Sequence, residues 1–189
     1  MEKLGVHKRE ILADRVQAAR DVQAETKEQF RSALDRFKSA VRFEGGDLEE
    51  KYEELNAEFE RCRDKADDVS KRVDAVEDVS QALFTEWSEE IKQFSSAKLR
   101  RSSQKQLDKT RKHYAQLIGA MKRAEKKIKP VLTAFSDQVL FLKHNLNAQA
   151  IASLKEEVVS VEADVTALIR DMETSIAQAD SFIRSLAGE

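Results

Sequence analysis

The residues of this chain that could bind a metal ion or act as strong nucleophiles are few and widely spaced. They are His7, Cys62, His113 and His144. A di-iron site in a helical bundle needs a Glu-x-x-His motif on each of two helices. The residues three positions before the three histidines are Leu4, Thr110 and Phe141. The chain therefore lacks this motif, and we expect no metal and no cofactor.

Helix packing accounts for the cysteine and the carboxylates without any catalytic role. Cys62 falls in a row of apolar residues, which predicts a small buried side chain and not a nucleophile. Adjacent carboxylates such as Glu49-Glu50 and Asp67-Asp68 are typical of solvated helix faces. Neither G-x-x-x-x-G-K-[ST] nor G-x-G-x-x-G occurs, which excludes the usual glycine-rich phosphate loops. We predict that the protein is not an enzyme.

One cluster has the composition of an anion-binding site. Its residues are Lys98, Arg100, Arg101, Ser102 and Ser103. The N–H groups and the dipole at the start of a helix favour negative charge, and cationic side chains add to that preference. A phosphate, an anionic lipid head group or an acidic partner would suit such a cluster. We treat it as a candidate contact with an anionic membrane surface.

The elements that must position these residues are long helices. From Leu48 to Phe94 apolar residues recur at alternating spacings of three and four, which is typical of a helix packed lengthwise on others. Ser80 and Glu90 are the only interruptions of this pattern, and similar series on either side are interrupted at Gln23 and Ser175. One Pro and five Gly in 189 residues, with 36% charged residues, favour long helices and leave little room for sheet.

Three turn-like segments divide the chain into four helices of about 40 residues, each about 60 Å long. The turns cover residues 43–47, 95–103 and 144–147. Asp47 and Asn147 are good helix N-caps, and Glu50 could complete a capping box with Asp47. Short turns make sequential helices antiparallel. We predict an all-α fold in which residues 1–189 form a single domain, an elongated antiparallel up-down-up-down four-helix bundle or coiled coil.

The third helix contains two unusual features. Pro130 lacks an N–H and crowds the preceding turn, so we expect a kink near it. Residues 131–142 are apolar on almost all sides, so either other helices surround this segment or one apolar face is left for a partner. That candidate partner face, also our best candidate for a homodimer interface, consists of Leu132, Val139, Leu140 and Phe141.

Charge is distributed unequally along the chain. Residues 97–143 carry 13 Lys and Arg against 3 Asp and Glu, whereas residues 44–94 carry 7 against 17. Mutual attraction between neighbouring helices is the simpler interpretation, because flanking charges select helix partners and orientation. The net charge is −2 and no aromatic residues alternate with the cations, which disfavours nucleic acid as a partner.

Several segments together resemble an uncharacterised family of all-helical bacterial proteins. The resemblance covers nearly the whole chain, and its most distinctive block is Asp-Gln-Val-Leu-Phe-Leu-Lys-His-Asn-Leu-Asn-Ala at 137–148. Other matching segments are Met-Glu-Lys-Leu-Gly-Val-His-Lys-Arg-Glu-Ile-Leu (1–12), Gly-Gly-Asp-Leu (45–48), Val-Glu-Asp-Val (76–79), Ala-Leu-Phe-Thr-Glu-Trp (82–87), Leu-Arg-Arg-Ser-Ser (99–103), Ala-Glu-Lys-Lys (124–127) and Pro-Val-Leu (130–132).

The resemblance implies a location but no activity. Members occur mainly in proteobacteria and often carry a lipoprotein signal ahead of the matching segment. Some carry the label "DNA repair ATPase", which the missing nucleotide loop of this chain does not support. We expect a periplasmic or outer-membrane-anchored protein in the full-length form, with the chain as given soluble. The alternative location is the cytoplasm.

These observations lead to two expectations about function. The first is a non-catalytic helical cell-envelope protein, structural or adaptor in role, which presents a surface to a protein partner that the sequence does not identify. The second is a cytoplasmic coiled-coil adaptor, including one that acts near nucleic acid. Cell fractionation with the natural N-terminus separates the two, and the salt dependence of nucleic-acid binding tests the second. A third alternative is a hidden enzyme or small-ligand carrier, which would need a cavity lined by convergent polar groups.

Overall fold

The computed structural model describes residues 2–42, 45 and 47–188, with the side chains of 2–6 and 148 left out of the description. It contains four helices: α1 (Glu2–Ala40), α2 (Leu48–Lys92), α3 (Ala97–His144) and α4 (Ala148–Ala187). The described residues contain no strand. The prediction of an all-α fold with four long helices is therefore confirmed.

The helices begin where local sequence provides a cap. The Asp47 carboxylate accepts a hydrogen bond from the Glu49 N–H at 2.9 Å, and the Asn147 side chain accepts one from the Ala150 N–H at 3.0 Å. Both predicted N-caps are thus confirmed, although Asp47 bonds to the second residue of α2 and not to the third. Gly45 has a φ of +144°, a backbone conformation that residues with a Cβ atom rarely adopt. Phe43, Glu44 and Gly46 of the same predicted turn lie outside the described residues.

Each helix packs against two others, so that the four form the sides of a bundle. The contacts join α1 to α2, α2 to α3, α3 to α4 and α4 to α1, and none joins a diagonal pair among the described residues. Lys8 pairs with Glu86 at 2.7 Å, whereas Gln29 donates to Glu58 at 2.7 Å, so α1 and α2 run in opposite directions. The other neighbouring helices also run in opposite directions. The pairs that show this are Arg20–Asp180 and Lys38–Glu162 between α1 and α4, Glu77–Lys122 and Trp87–Ser103 between α2 and α3, and Tyr114–Phe182 and Lys127–Asp171 between α3 and α4.

The apolar rows meet along the axis of the bundle and form one continuous core. Phe135 lies at its centre on α3, fully buried, with its ring stacked on Phe37 at 4.7 Å between ring centroids. Burial of such rows, and not helix propensity alone, stabilises long helices in water. The row of α2 shifts at its end, because Ile91 is buried whereas Phe94, which the spacing placed in the seam, is exposed.

Three polar interruptions of the apolar rows, Gln23, Ser80 and Ser175, each form at least one hydrogen bond inside the bundle. Gln23 of α1 and Ser175 of α4 are both fully buried, and the Ser175 hydroxyl donates to Gln23 Oε1 at 2.5 Å. The Ser80 hydroxyl of α2 donates to the Glu77 carbonyl oxygen in the preceding turn at 2.8 Å. Buried polar groups need such partners, because an unpaired one carries the full cost of desolvation.

Pro130 is exposed on the outer side of α3, which continues from Ala97 to His144 without interruption. The missing N–H therefore does not break the helix. The kink that we expect near this residue stays a prediction.

Candidate functional site

The isolated residues with catalytic or metal-binding chemistry are not brought together by the fold. Cys62 is fully buried, and this burial raises the pKa of its thiol to about 12, so it is protonated at neutral pH. The described residues include no group of three or more His, Cys, Asp or Glu side chains that could hold a metal ion. The buried carboxylate Glu58 accepts hydrogen bonds from Gln29 at 2.7 Å and from Arg61 at 2.6 Å, a structural arrangement that fixes α2 against α1.

The predicted anion-binding cluster lies at the turn between α2 and α3, and part of it holds that turn together. Ser96 caps α3 by accepting a hydrogen bond from the Leu99 N–H at 3.4 Å. Arg100 donates from Nε at 3.3 Å and from Nη2 at 2.7 Å to the carbonyl oxygen of Phe94. Its guanidinium thus satisfies a carbonyl group just beyond the end of α2, where helices leave such groups unpaired.

Ser103 also has a structural contact. The indole N–H of Trp87 donates to the Ser103 hydroxyl at 3.0 Å, and the Arg9 guanidinium lies 4.1 Å from the centroid of the Trp87 ring system. A cation over an indole face is a favourable contact, which ties α1 to α2 here. The remaining predicted residues, Lys98, Arg101 and Ser102, are exposed.

We call this region the basic turn and define it as residues 94–104. Its exposed cations give it a positive field that salt would screen, and the described first turn of α3 carries no acidic residue to oppose that field. The structure brings all five predicted residues to one end of the bundle. It also shows that Arg100 and Ser103 are already engaged in protein contacts.

The predicted partner face on α3 divides into a buried and an exposed half. Val139 is only 6% exposed, and Leu132 is half-buried against the core. Leu140 is 53% exposed and Phe141 is 39% exposed. Other helices therefore cover this apolar segment on most sides and leave a narrow strip open near the end of α3.

A groove lies beside that strip, between the end of α3 and the start of α4. Its volume is about 680 Å³. The residues described as lining it are Ala134, Asp137, Gln138, Phe141, Gln149, Ala152, Ser153, Leu154, Glu156, Glu157 and Val161. We call it the α3–α4 groove. Its small side chains, Ala134 and Ala152, leave room between the helices, and Phe141 forms an apolar wall.

A family model matches residues 1–186, almost the entire chain. The chain belongs to the DUF2959 family. That family is described as a protein family of unknown function, so membership fixes the relationship and leaves the activity open. Comparisons with curated proteins and with solved structures gave no match.

The recognition of an uncharacterised family from sequence is thereby confirmed. For this DUF2959 chain, none of the helices in the described residues is both long and apolar enough to cross a bilayer. The family match itself says nothing of a lipoprotein signal or of a location, which stay expectations from the resemblance.

Sequence reasoning missed several residues of the α3–α4 groove. Gln138 occupies a position in the apolar row of α3 and was not singled out, and Glu156 and Glu157 were not considered. The signal that could have found them is the set of small residues at the start of α4, namely Ala148, Ala150, Ala152 and Ser153. Where two facing rows are small, side chains cannot fill the space between two helices.

Proposed function

We propose that this protein is a non-catalytic helical adaptor of the cell envelope, which presents the α3–α4 groove to a protein partner. The observation that carries the proposal is the groove itself, with Leu140 and Phe141 exposed beside it. Exposed apolar residues beside a concave surface are typical of a protein-binding site.

The positions of the basic turn and the groove along the bundle support a role in which the protein connects a membrane surface to a distant partner. Arg100 lies near the start of α3 and Phe141 near its end, so at 1.5 Å per residue the basic turn and the groove are about 60 Å apart. A cationic end suits the anionic head groups of a membrane, and the far end would then reach the partner. The resemblance to proteins that carry a lipoprotein signal supports the envelope location.

The absence of assembled chemistry supports a non-catalytic role. Cys62 is buried and its thiol has a raised pKa, and the Glu58 carboxylate forms an ion pair with Arg61. The cations Arg111, Lys122 and Lys127 of α3 contact neighbouring helices. An exposed cationic stripe of the kind that tracks a nucleic-acid backbone is correspondingly reduced. The envelope adaptor is therefore preferred to the cytoplasmic adaptor that acts near nucleic acid.

Two measurements test the proposal in cells that produce the protein with its natural N-terminus. Fractionation should place it with the envelope, and recovery of the full-length protein in the cytosol would refute that part. A photoreactive amino acid at Leu140 should give a discrete protein adduct, whereas the same group at the exposed Ala82 of α2 should not. An equal adduct pattern at both positions would refute the assignment of the groove as the partner site.

A further inference from the structure

The α3–α4 groove is negatively charged. Among its described lining residues are three carboxylates, Asp137, Glu156 and Glu157, and no Lys or Arg. The nearest basic residues along the chain, Lys143 and Lys155, are exposed and do not line it. This contrasts with the remainder of α3, which is strongly basic. The groove is therefore an acidic site on a basic helix.

The groove also contains an unsatisfied polar group. Gln138 is only 5% exposed and lines the groove, and within the described part of the chain its Oε1 has no hydrogen-bond partner. A buried carbonyl oxygen without a donor is costly, and native proteins rarely keep one. The oxygen itself is buried, so a bound molecule would donate to it after the Gln138 side chain turns towards the groove, and this bond would remove the cost. The charge and the unsatisfied acceptor thus both point to an occupant with cationic N–H donors.

The shape of the groove indicates the form of the occupant. On α3 the lining positions are 134, 137, 138 and 141, which form one face over two helical turns of about 10 Å. On α4 they extend from 149 to 161, about 18 Å. A groove of this length between two helices, with Ala134, Phe141 and Ala152 among polar lining residues, accepts a third helix through anchors at positions i, i+3 or i+4, and i+7.

We propose that the α3–α4 groove binds an amphipathic helix of a partner protein, in which Lys or Arg residues flank a row of apolar side chains. This inference rests on the proposed function and names the chemistry of its partner. The apolar row lies against Ala134, Phe141 and Ala152. The cations reach Glu156 and Glu157, and a donor reaches the Gln138 amide.

A second copy bound by two-fold symmetry fits the groove less well. Such a dimer would place Glu156 and Glu157 of one copy close to the same residues of the other, and like charges across an interface are unfavourable. A second copy that instead inserts its basic turn into the groove of the first copy avoids this repulsion. This arrangement is one outcome of the test below.

The direct test uses a synthetic leucine–lysine amphipathic helix about four turns long, with a leucine–glutamate helix of the same pattern as its control. Binding is measured by fluorescence anisotropy at moderate salt. We expect the lysine helix to bind and the glutamate helix not to bind. The variant Glu156→Lys with Glu157→Lys should lower the affinity about tenfold or more, because it reverses the charge of the groove.

The matched control is Asp67→Lys with Asp68→Lys, which makes the same change in net charge at exposed positions of α2 outside the groove. We expect it to lower the affinity by less than about threefold, through long-range screening alone. Equal losses in the two variants would overturn the inference, because the attraction would then be non-specific. No binding of the lysine helix at low salt would also overturn it.

Gln138→Leu provides an independent readout. It should raise or preserve the melting temperature, because it removes an unsatisfied carbonyl, and yet weaken binding of the lysine helix. A variant that binds as tightly as the native protein would show that the amide takes no part.

Two further results separate this inference from the proposed function. If sedimentation equilibrium shows self-association that the Glu156→Lys with Glu157→Lys variant abolishes, the occupant is a second copy and the partner-helix inference fails. If the Leu140 adduct persists unchanged in that variant, the adaptor role stands and the cationic-helix inference is wrong.

Discussion

The buried pair formed by Gln23 and Ser175 allows a quantitative test of how the core is specified. Both side chains are fully buried and the Ser175 hydroxyl donates to Gln23 Oε1, but Gln23 Nε2 has no partner among the described residues. This buried pair favours one axial alignment of α1 against α4, because sliding one helix along the other would leave more of the pair's polar atoms without hydrogen bonds. We expect it to contribute to specificity more than to stability.

A double-mutant cycle gives the magnitudes. Ser175→Ala leaves both polar atoms of the Gln23 amide unpaired, and should lower the free energy of unfolding by about 2 kcal/mol. Gln23→Leu replaces the amide with an apolar group of similar volume, while Ser175 can donate instead to a carbonyl one turn earlier in α4, so the change should stay within about 1 kcal/mol. The free energy of unfolding of the double variant should equal that of the native protein or exceed it by up to about 1 kcal/mol. If Gln23→Leu has no net effect, the coupling between the two sites is about 2–3 kcal/mol in magnitude.

Urea unfolding measures these differences, with far-ultraviolet circular dichroism for the helices and Trp87 fluorescence for the core. Trp87 is the only tryptophan and is 7% exposed, so its emission should shift on unfolding. Coincidence of the two transitions supports a two-state analysis. If Ser175→Ala is as stable as the native protein, or if the coupling is below about 0.5 kcal/mol, the reasoning about this buried pair is refuted.

Three further predictions concern other parts of the molecule. Phe135→Ala should lower the free energy of unfolding by about 4–5 kcal/mol, because it removes a fully buried ring stacked on Phe37; a loss below about 2 kcal/mol in urea would contradict the packing described. Cys62 should react with a thiol reagent at pH 8 only after unfolding, and its contribution to stability, complete below the unfolded pKa of about 8.5, should fall as pH rises towards the folded pKa of about 12. A Cys62→Ala variant should lack that part of the pH dependence, and rapid labelling of the native thiol would refute the burial. Lys98→Glu with Arg101→Glu should leave the melting temperature within a few degrees and weaken binding to vesicles containing an anionic phospholipid; unchanged vesicle binding would remove the basic turn as a membrane contact.

The helices and their termini were predictable because the interactions that define them are local. The apolar spacing along α2 depends on residues three and four positions apart, and the caps at Asp47 and Asn147 depend on neighbours within one turn. The same reasoning failed at the end of α2, where Ile91 and not Phe94 is buried. There the helix ends at Lys92, so the repeat has no further turn to continue.

The candidate sites were predictable only in part. The cations of the basic turn are adjacent in sequence, so their proximity was evident, whereas the bond from Arg100 to the Phe94 carbonyl depends on how the chain reverses direction. On α3 the apolar segment was evident as well. Which of its faces is covered depends on where α2 and α4 lie, and that separates the buried Val139 from the exposed Leu140.

By itself the sequence determined that this protein is four long helices with apolar rows, capped at identifiable residues and without the motifs of common enzymes, because periodicity and capping act over one or two helical turns. Only the tertiary structure decided that Gln23 meets Ser175, that Phe84 meets Tyr114 and that an acidic groove opens beside Phe141. Those features depend on the order and axial alignment of helices far apart in the chain, which are set by the packing of whole faces and not by any local pattern.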